Sequence, residues 1–128
     1  MIKQEYKYSD ITAKIIGCAI KVHNELGPGF PEYIYQRALE IEFRNTLLKN
    51  VREKEHPVYY LNELVGKRRV DFVVEEKIMV ELKAVDKLDE LSLSRSLNYM
   101  KAFNLEVGLL INFGGAKLEF KRLVNNKM

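Results

Sequence analysis

Three charged residues stand in segments that otherwise ask to be buried. Val70-Asp71-Phe72-Val73-Val74 and Ile78-Met79-Val80-Glu81-Leu82-Lys83 are rich in β-branched and other apolar residues, the composition of strands, yet they carry Asp71, Glu81 and Lys83. Residues two apart on a strand project from one face, so Glu81 and Lys83 stand side by side while Val80 and Leu82 point the other way. Asp71 joins them only in one register. A two-residue turn at Glu75–Glu76 pairs Asp71 with Val80 and turns its side chain away; a three-residue turn, Glu75 to Lys77, pairs it with Glu81. Nothing in Glu75–Glu76 favours the positive φ of a two-residue hairpin turn, so the three-residue register is expected, and a bulge or a splayed strand would serve equally. Adjacent carboxylates repel and are costly to bury. A bound cation is the usual remedy, and oxygen ligands of this kind suit magnesium or manganese. By spacing alone, three ordinary charges on a half-solvated sheet explain the residues as well.

The elements that must position these residues can be read from periodicity. Ser9 or Asp10 is expected to cap a helix in which Ile11, Ile15, Cys18, Val22 and Leu26 recur at three- and four-residue steps, stopped by Gly27-Pro28-Gly29. A second helix is expected from about Pro31 to Lys49, with Ile34, Ala38, Ile41 and Leu48 toward the core. Strands follow at 51–60, 64–74 and 78–85, joined as an antiparallel meander with breaks at Leu61–Asn62 and Glu75–Lys77. A third helix, 87–103, points Leu93, Leu97 and Met100 inward and ends at Asn104. The apolar run Val107 to Phe113 reads as a central strand, and a helical crossover before it makes its pairing parallel. Gly114–Gly115 turns the chain into a half-exposed strand, 118–123. The order is α-α-β-β-β-α-β-β, an α/β domain with a mixed central sheet flanked by helices.

Composition narrows the function classes. At 128 residues the chain has the size of one domain, able to bury roughly 65–70% of its unfolded surface. With 47% hydrophobic and 30% charged residues it is neither disordered nor fibrous. No apolar run reaches the roughly 18–20 residues of a membrane span, and the first residues carry Lys3, Glu5 and Lys7 instead of a signal-peptide core. A cytoplasmic location without a membrane partner is the expectation. The single cysteine, Cys18, excludes an internal disulfide and a cysteine-rich zinc site, and among Ile15, Ala19 and Val22 it reads as a core filler. A net charge of +3 permits a nucleic-acid partner without requiring one. His23, near a helix end, and His56, before Pro57, read as structural.

Five blocks of sequence add to this. Gly29-Phe30-Pro31-Glu32-Tyr33-Ile34-Tyr35 follows Val22-His23-Asn24-Glu25-Leu26-Gly27-Pro28; further on come Asp71-Phe72, Val80-Glu81-Leu82-Lys83-Ala84-Val85, Leu97-Asn98-Tyr99, and Val107-Gly108-Leu109-Leu110-Ile111-Asn112-Phe113-Gly114. In this order, between about residues 10 and 124, they resemble the GxxExxY proteins, a branch of the PD-(D/E)XK nuclease superfamily. The resemblance implies a single restriction-endonuclease-like domain over 1–128 and a magnesium- or manganese-dependent nuclease acting on nucleic acid, DNA in the first place. It implies that Asp71, Glu81 and the backbone carbonyl of Leu82 hold the metal. Lys83 would then orient or activate the attacking water and stabilise charge on the phosphate. Glu32 would bind a second metal or a metal-bound water; its place near a helix N-terminus is also favoured by the dipole, which is the plainer explanation.

Glu32 shares a helix face with Tyr35 and Gln36, which extends the candidate site to both. Lys67, Arg68 and Arg69 lead into the Asp71 strand and could contact phosphates without reading sequence, or form a solvated face. One departure stands out. Relatives carry glutamine in a Q-x-x-x-Y pattern where this chain has Arg95 four residues before Tyr99. Arg95 could bind a phosphate, pair with Glu32 or Glu81, or mark a site that has left catalysis. The rival function is therefore a non-catalytic nucleic-acid-binding or protein-interaction module on the same fold. A homodimer would suit double-strand cutting, and nothing in the chain demands it.

Overall fold

In the computed structural model, which describes residues 6–126, two helices precede a five-stranded sheet and a third helix crosses it. The amino-terminal Lys3 and Glu5 lie outside the described residues. The elements are α1 (Ser9–Leu26), α2 (Glu32–Asn45), β1 (Asn50–Tyr60), β2 (Glu63–Val74), β3 (Ile78–Lys83), α3 (Glu90–Phe103), β4 (Val107–Asn112) and β5 (Glu119–Val124). Strand order follows chain order; β3 and β4 pair parallel across α3, and all other neighbours are antiparallel. This is the mixed, helix-flanked sheet expected from the sequence, and it defines the restriction-endonuclease-like architecture. Among the described residues no helix is long and apolar enough to cross a membrane.

Two apolar layers sandwich the sheet. On one face, Ile15, Ala19 and Val22 of α1 and Tyr35, Leu39 and Phe43 of α2 cover Phe72, Val80, Leu82, Leu109 and Ile111. On the other, Met100 and Phe103 of α3 cover Val70, Met79 and Leu110. β3 and β4 are covered on both sides, which is why their sequences are nearly continuous apolar runs.

Several local expectations are corrected. The N-cap of α1 is Tyr8, in the left-handed region at φ 60° and without a side-chain cap bond, rather than Ser9 or Asp10. α2 stops at Asn45, short of Lys49, because Leu47 turns left-handed at φ 60° and the Leu48 N–H returns to the Phe43 carbonyl at 2.9 Å. Its buried stripe is Tyr35, Leu39 and Phe43, while Ile41 is exposed. α3 starts at Glu90, capped by the Asp89 side chain, which accepts from the Ser92 N–H at 2.8 Å.

The far end of β3 is latched. The fully buried Asn112 side chain accepts from the N–H groups of Val85 and Gly114, both at 3.0 Å, and donates to the Val85 carbonyl at 2.9 Å. A Cβ on Gly114 would lie 2.2 Å from the Val85 oxygen, so only glycine lets the chain leaving β3 cross here. His23 donates from Nε2 to the Gly115 carbonyl at 3.0 Å, tying α1 to the same turn in a structural role.

Candidate active site

The observed pairs Phe72↔Val80, Val73↔Met79 and Val74↔Ile78 are those of the three-residue turn, and one more step sets Asp71 opposite Glu81. The turn does use positive φ at Glu75 (53°) and Glu76 (60°), against the expectation from their residue types. The cost, about 1–2 kcal/mol per residue, is offset by tertiary ties: the Glu75 N–H donates to the Lys49 carbonyl at 2.8 Å and the Lys49 N–H to Glu75 Oε2 at 2.9 Å.

At Asp71 the two strands part, and side chains take over from the ladder. Glu81 Oε1 accepts from the Asp71 N–H at 2.9 Å, and Asp71 Oδ2 accepts from the Leu82 N–H at 2.8 Å. Each carboxylate satisfies a backbone donor on or beside the other's strand, so the pair is locked in place. The inward–outward alternation slips at the same point. Val70 packs under α3 while Phe72, two residues on, packs under α1 and α2. On the other side of β2, Glu53 stands in the left-handed region at φ 56°, between the pairs Arg52↔Phe72 and Lys54↔Val70. The splay foreseen as an alternative to strict register accompanies it.

Helix α2 supplies the next contacts. The Gln36 amide donates to Asp71 Oδ1 at 2.8 Å, and its oxygen accepts from Arg52 Nη1 at 3.3 Å; Arg52 in turn pairs with Glu40 at 3.2 Å. Gln36 is buried, so the relay fixes its amide with nitrogen toward Asp71. Arg52 and Glu40 were missed in the sequence. The i, i+4 spacing of Gln36 and Glu40 on one helix face was the available signal.

Electrostatics mark the pair as costly to ionise. Burial, then the neighbouring Asp71 charge, push the Glu81 carboxyl up to about 8. Asp71 is also raised, by burial first, against the stabilising bonds from Leu82 and Gln36. Glu32 is exposed as a residue, yet desolvation of its carboxyl raises it as well, with Lys83 opposing and Asp71 adding to the shift. Lys83 forms no ion pair within 4.0 Å among the described residues, but its charge acts on all three carboxyls. Asp71, Glu81, Lys83, Glu32 and Gln36 thus share one site.

The other candidates lie elsewhere. Tyr35 is fully buried, stacked on Phe113 at 4.7 Å, and its hydroxyl donates to the Gly27 carbonyl at 2.5 Å and accepts from the Phe30 N–H at 3.2 Å. It props the turn before α2 and does not reach the rim. Arg95 acts electrostatically on Asp89, whereas Asp71 and Lys83 are the charges acting on Glu81. Arg95, Tyr99, Lys67 and Arg68 line a separate groove, and Arg69 pairs across the ladder with Glu55.

No three carboxylate, imidazole or thiolate groups converge as a metal cage among the described residues. The donors present nevertheless fit a hard cation. Magnesium is commonly held by one or two carboxylates, with water and substrate phosphates completing its shell. A proton retained by the crowded Asp71–Glu81 pair is what such a cation would displace.

The fold and this strand-borne pair of acids followed by a lysine define a nuclease-like class. A family model described as the PD-(D/E)XK nuclease superfamily matches residues 9–123, and the chain belongs to that superfamily. The crystal structure of SSO0001 superposes with a TM-score of 0.57 at 18% identity, over 71% of this chain and 48% of that one. This chain therefore spans about half the length of that protein, and the likeness speaks to fold. No curated protein matches the sequence.

Proposed function

We propose that the protein is a metal-dependent nuclease of the GxxExxY branch that hydrolyses phosphodiester bonds, with DNA as substrate and magnesium, or manganese, as the metal. The observation that carries this reading is the interlocked Asp71–Glu81 pair with Lys83 beside it. Surface charges on a solvated sheet have no reason to be buried, mutually bonded and raised in pKa.

Asp71, Glu81 and the Leu82 carbonyl would hold the metal, with Glu32 binding a second metal or a coordinated water. When bound, the metal supplies acidified water and polarises the phosphoryl oxygens. Lys83 orients the attacking water and offsets negative charge developing on the phosphate. Gln36 and Arg52 keep Asp71 aimed, so that the acid pays no reorganisation when the substrate arrives. Tyr35 supports the turn that precedes α2. Arg95, Tyr99, Lys67, Arg68 and Arg69 are proposed to contact substrate away from the reacting atoms. The domain runs over 1–128, with its core at about 10–124, and acts in the cytoplasm; cutting both strands of a duplex would call for a homodimer.

The test is cleavage of single-stranded, duplex and branched DNA and of RNA, with magnesium, manganese or EDTA, by the wild type, Asp71→Ala and Lys83→Ala. Metal-dependent cleavage lost in both variants is expected. Salt-sensitive binding without cleavage, unaltered in both variants, would point instead to a non-catalytic binding module.

A further inference from the structure

Beyond the ladder with β3, β1 and β2 continue as a two-stranded arm. Its residues Glu63–Arg69 on β2 are exposed, and the arm runs alongside α3. Between arm and helix lies a groove of about 490 Å³ lined by Lys67, Arg68, Arg95, Asn98, Tyr99 and Val65. Three cations share this groove, and no acidic residue lines it. None of the three makes an ion pair within 4.0 Å among the described residues. Arg68 lies over the Tyr99 ring, 5.8 Å from its centroid, which aims one guanidinium along the groove wall.

The one acidic group that interacts with them, Asp89, lies outside the groove lining and acts on Arg95 alone; like charges gathered along one wall repel one another, and a bound polyanion removes that cost. The larger cavity, about 630 Å³ by the Glu75–Lys77 turn, differs in composition: Lys49, Lys54 and Lys77 share its lining with Glu75 and Glu76. Guanidinium groups present forked donors that match phosphate oxygens, and Asn98 adds a neutral amide. β1's outer edge is ill suited to a second copy of the chain, since Pro57 and the left-handed Glu53 interrupt it and Lys54 and Glu55 charge it.

We propose that the groove between the β1–β2 arm and α3 binds the sugar–phosphate backbone of a nucleic-acid strand through Arg68, Arg95 and Lys67, apart from the Asp71–Glu81 pair. This rests on nucleic acid being the substrate, and it assigns Arg95 to holding the strand rather than to the reacting centre.

The experiment is fluorescence anisotropy of a labelled oligothymidylate in EDTA, where no cleavage occurs, across a salt titration. The Arg68→Gln/Arg95→Gln double variant is expected to bind at least about 10-fold more weakly, with its salt slope reduced by about 1.4 for two lost phosphate contacts. Arg68→Lys/Arg95→Lys should retain most of the binding. Lys49→Gln/Lys77→Gln removes the same charge elsewhere and should stay within about twofold of wild type. Equal loss in the two glutamine doubles, no binding by the wild type, or equally tight binding of labelled oligoglutamate would overturn the proposal. Cleavage failing with every metal while the arginine double still loses DNA would sink the nuclease reading and leave the groove standing. Melting curves of each variant confirm that the fold is intact.

Discussion

β2 passes through two environments, and its halves behave as different elements. From Val70 to Val74 it lies in the body of the sheet, where Val70, Phe72 and Val74 are buried and Asp71 is half-buried. From Glu63 to Arg69 it lies in the arm, where every residue is exposed. In the body, desolvation converts ordinary acids into a proton-holding pair. In the arm, Lys67, Arg68 and Arg69 stay exposed to water. The junction is Asp71 itself, where β2 leaves β3 and Glu53 turns left-handed opposite. One strand thus carries a desolvated acid at one end and exposed cations at the other, and burial separates the two.

The two halves of β2 should differ most in what substitution at the acidic pair does. Asp71→Ala and Glu81→Gln are each expected to lower kcat by at least about 10²–10³-fold in a metal-supported cleavage assay, while Lys67→Gln in the arm weakens binding and leaves kcat near wild type. Cleavage surviving Glu81→Gln would show that the buried half is not the reacting one.

The next effect is on stability. Gly114→Ala forces a Cβ against the Val85 backbone and should cost about 2–4 kcal/mol in urea unfolding, displacing the end of β3 that bears Lys83. Val65→Ser, in the arm, should stay within about 0.5 kcal/mol.

Protonation sharpens the contrast further. Glu81 is raised to about 8 from an ordinary 4.5, so the folded chain keeps a proton that the unfolded chain releases from about 4.5 upward. The stability this group contributes is full below about 4.5 and is lost as the pH rises through 8. Glu81→Gln should therefore flatten the pH dependence between these limits and raise the melting temperature at pH 8, by roughly 3–6 °C for each kcal/mol recovered. No variant in the arm should do this.

The smallest expected effect falls on positioning. Gln36→Leu removes the donor to Asp71 Oδ1 and the acceptor for Arg52. It should lower kcat about 10-fold or more with KM little changed, and Gln36→Glu should not restore the rate, since a carboxylate cannot donate to Asp71.

Much of this was legible in the sequence because it follows from period and turn length. The register of Asp71 and Glu81 came from a three-residue turn, the two-sided burial of β4 from an unbroken apolar run, and the end of α3 from Asn104, which adopts φ 57°. What was not legible depends on tertiary contact. The left-handed turn at Glu75 and Glu76 is tied to Lys49 through Glu75, which local propensity cannot anticipate. Ile41 fits a helical stripe as well as Leu39 or Phe43 does, and only tertiary packing against α1 and the sheet selects between them. Tyr35 and Gln36 are sequence neighbours, yet one props a turn and the other bonds Asp71. Arg95 was singled out for its residue type, but what surrounds it, Asp89 at the start of α3 and the arm across the groove, follows from tertiary placement.

On the proposed mechanism, the Asp71–Glu81 pair holds a proton where a divalent cation would bind. Calorimetric titration of manganese into the purified protein near pH 7, repeated in buffers of different ionisation enthalpy, tests it most directly. Binding with release of about one proton per ion, abolished in Asp71→Asn, is expected. Absence of binding at millimolar manganese, or binding with no proton release that persists in Asp71→Asn, would contradict it.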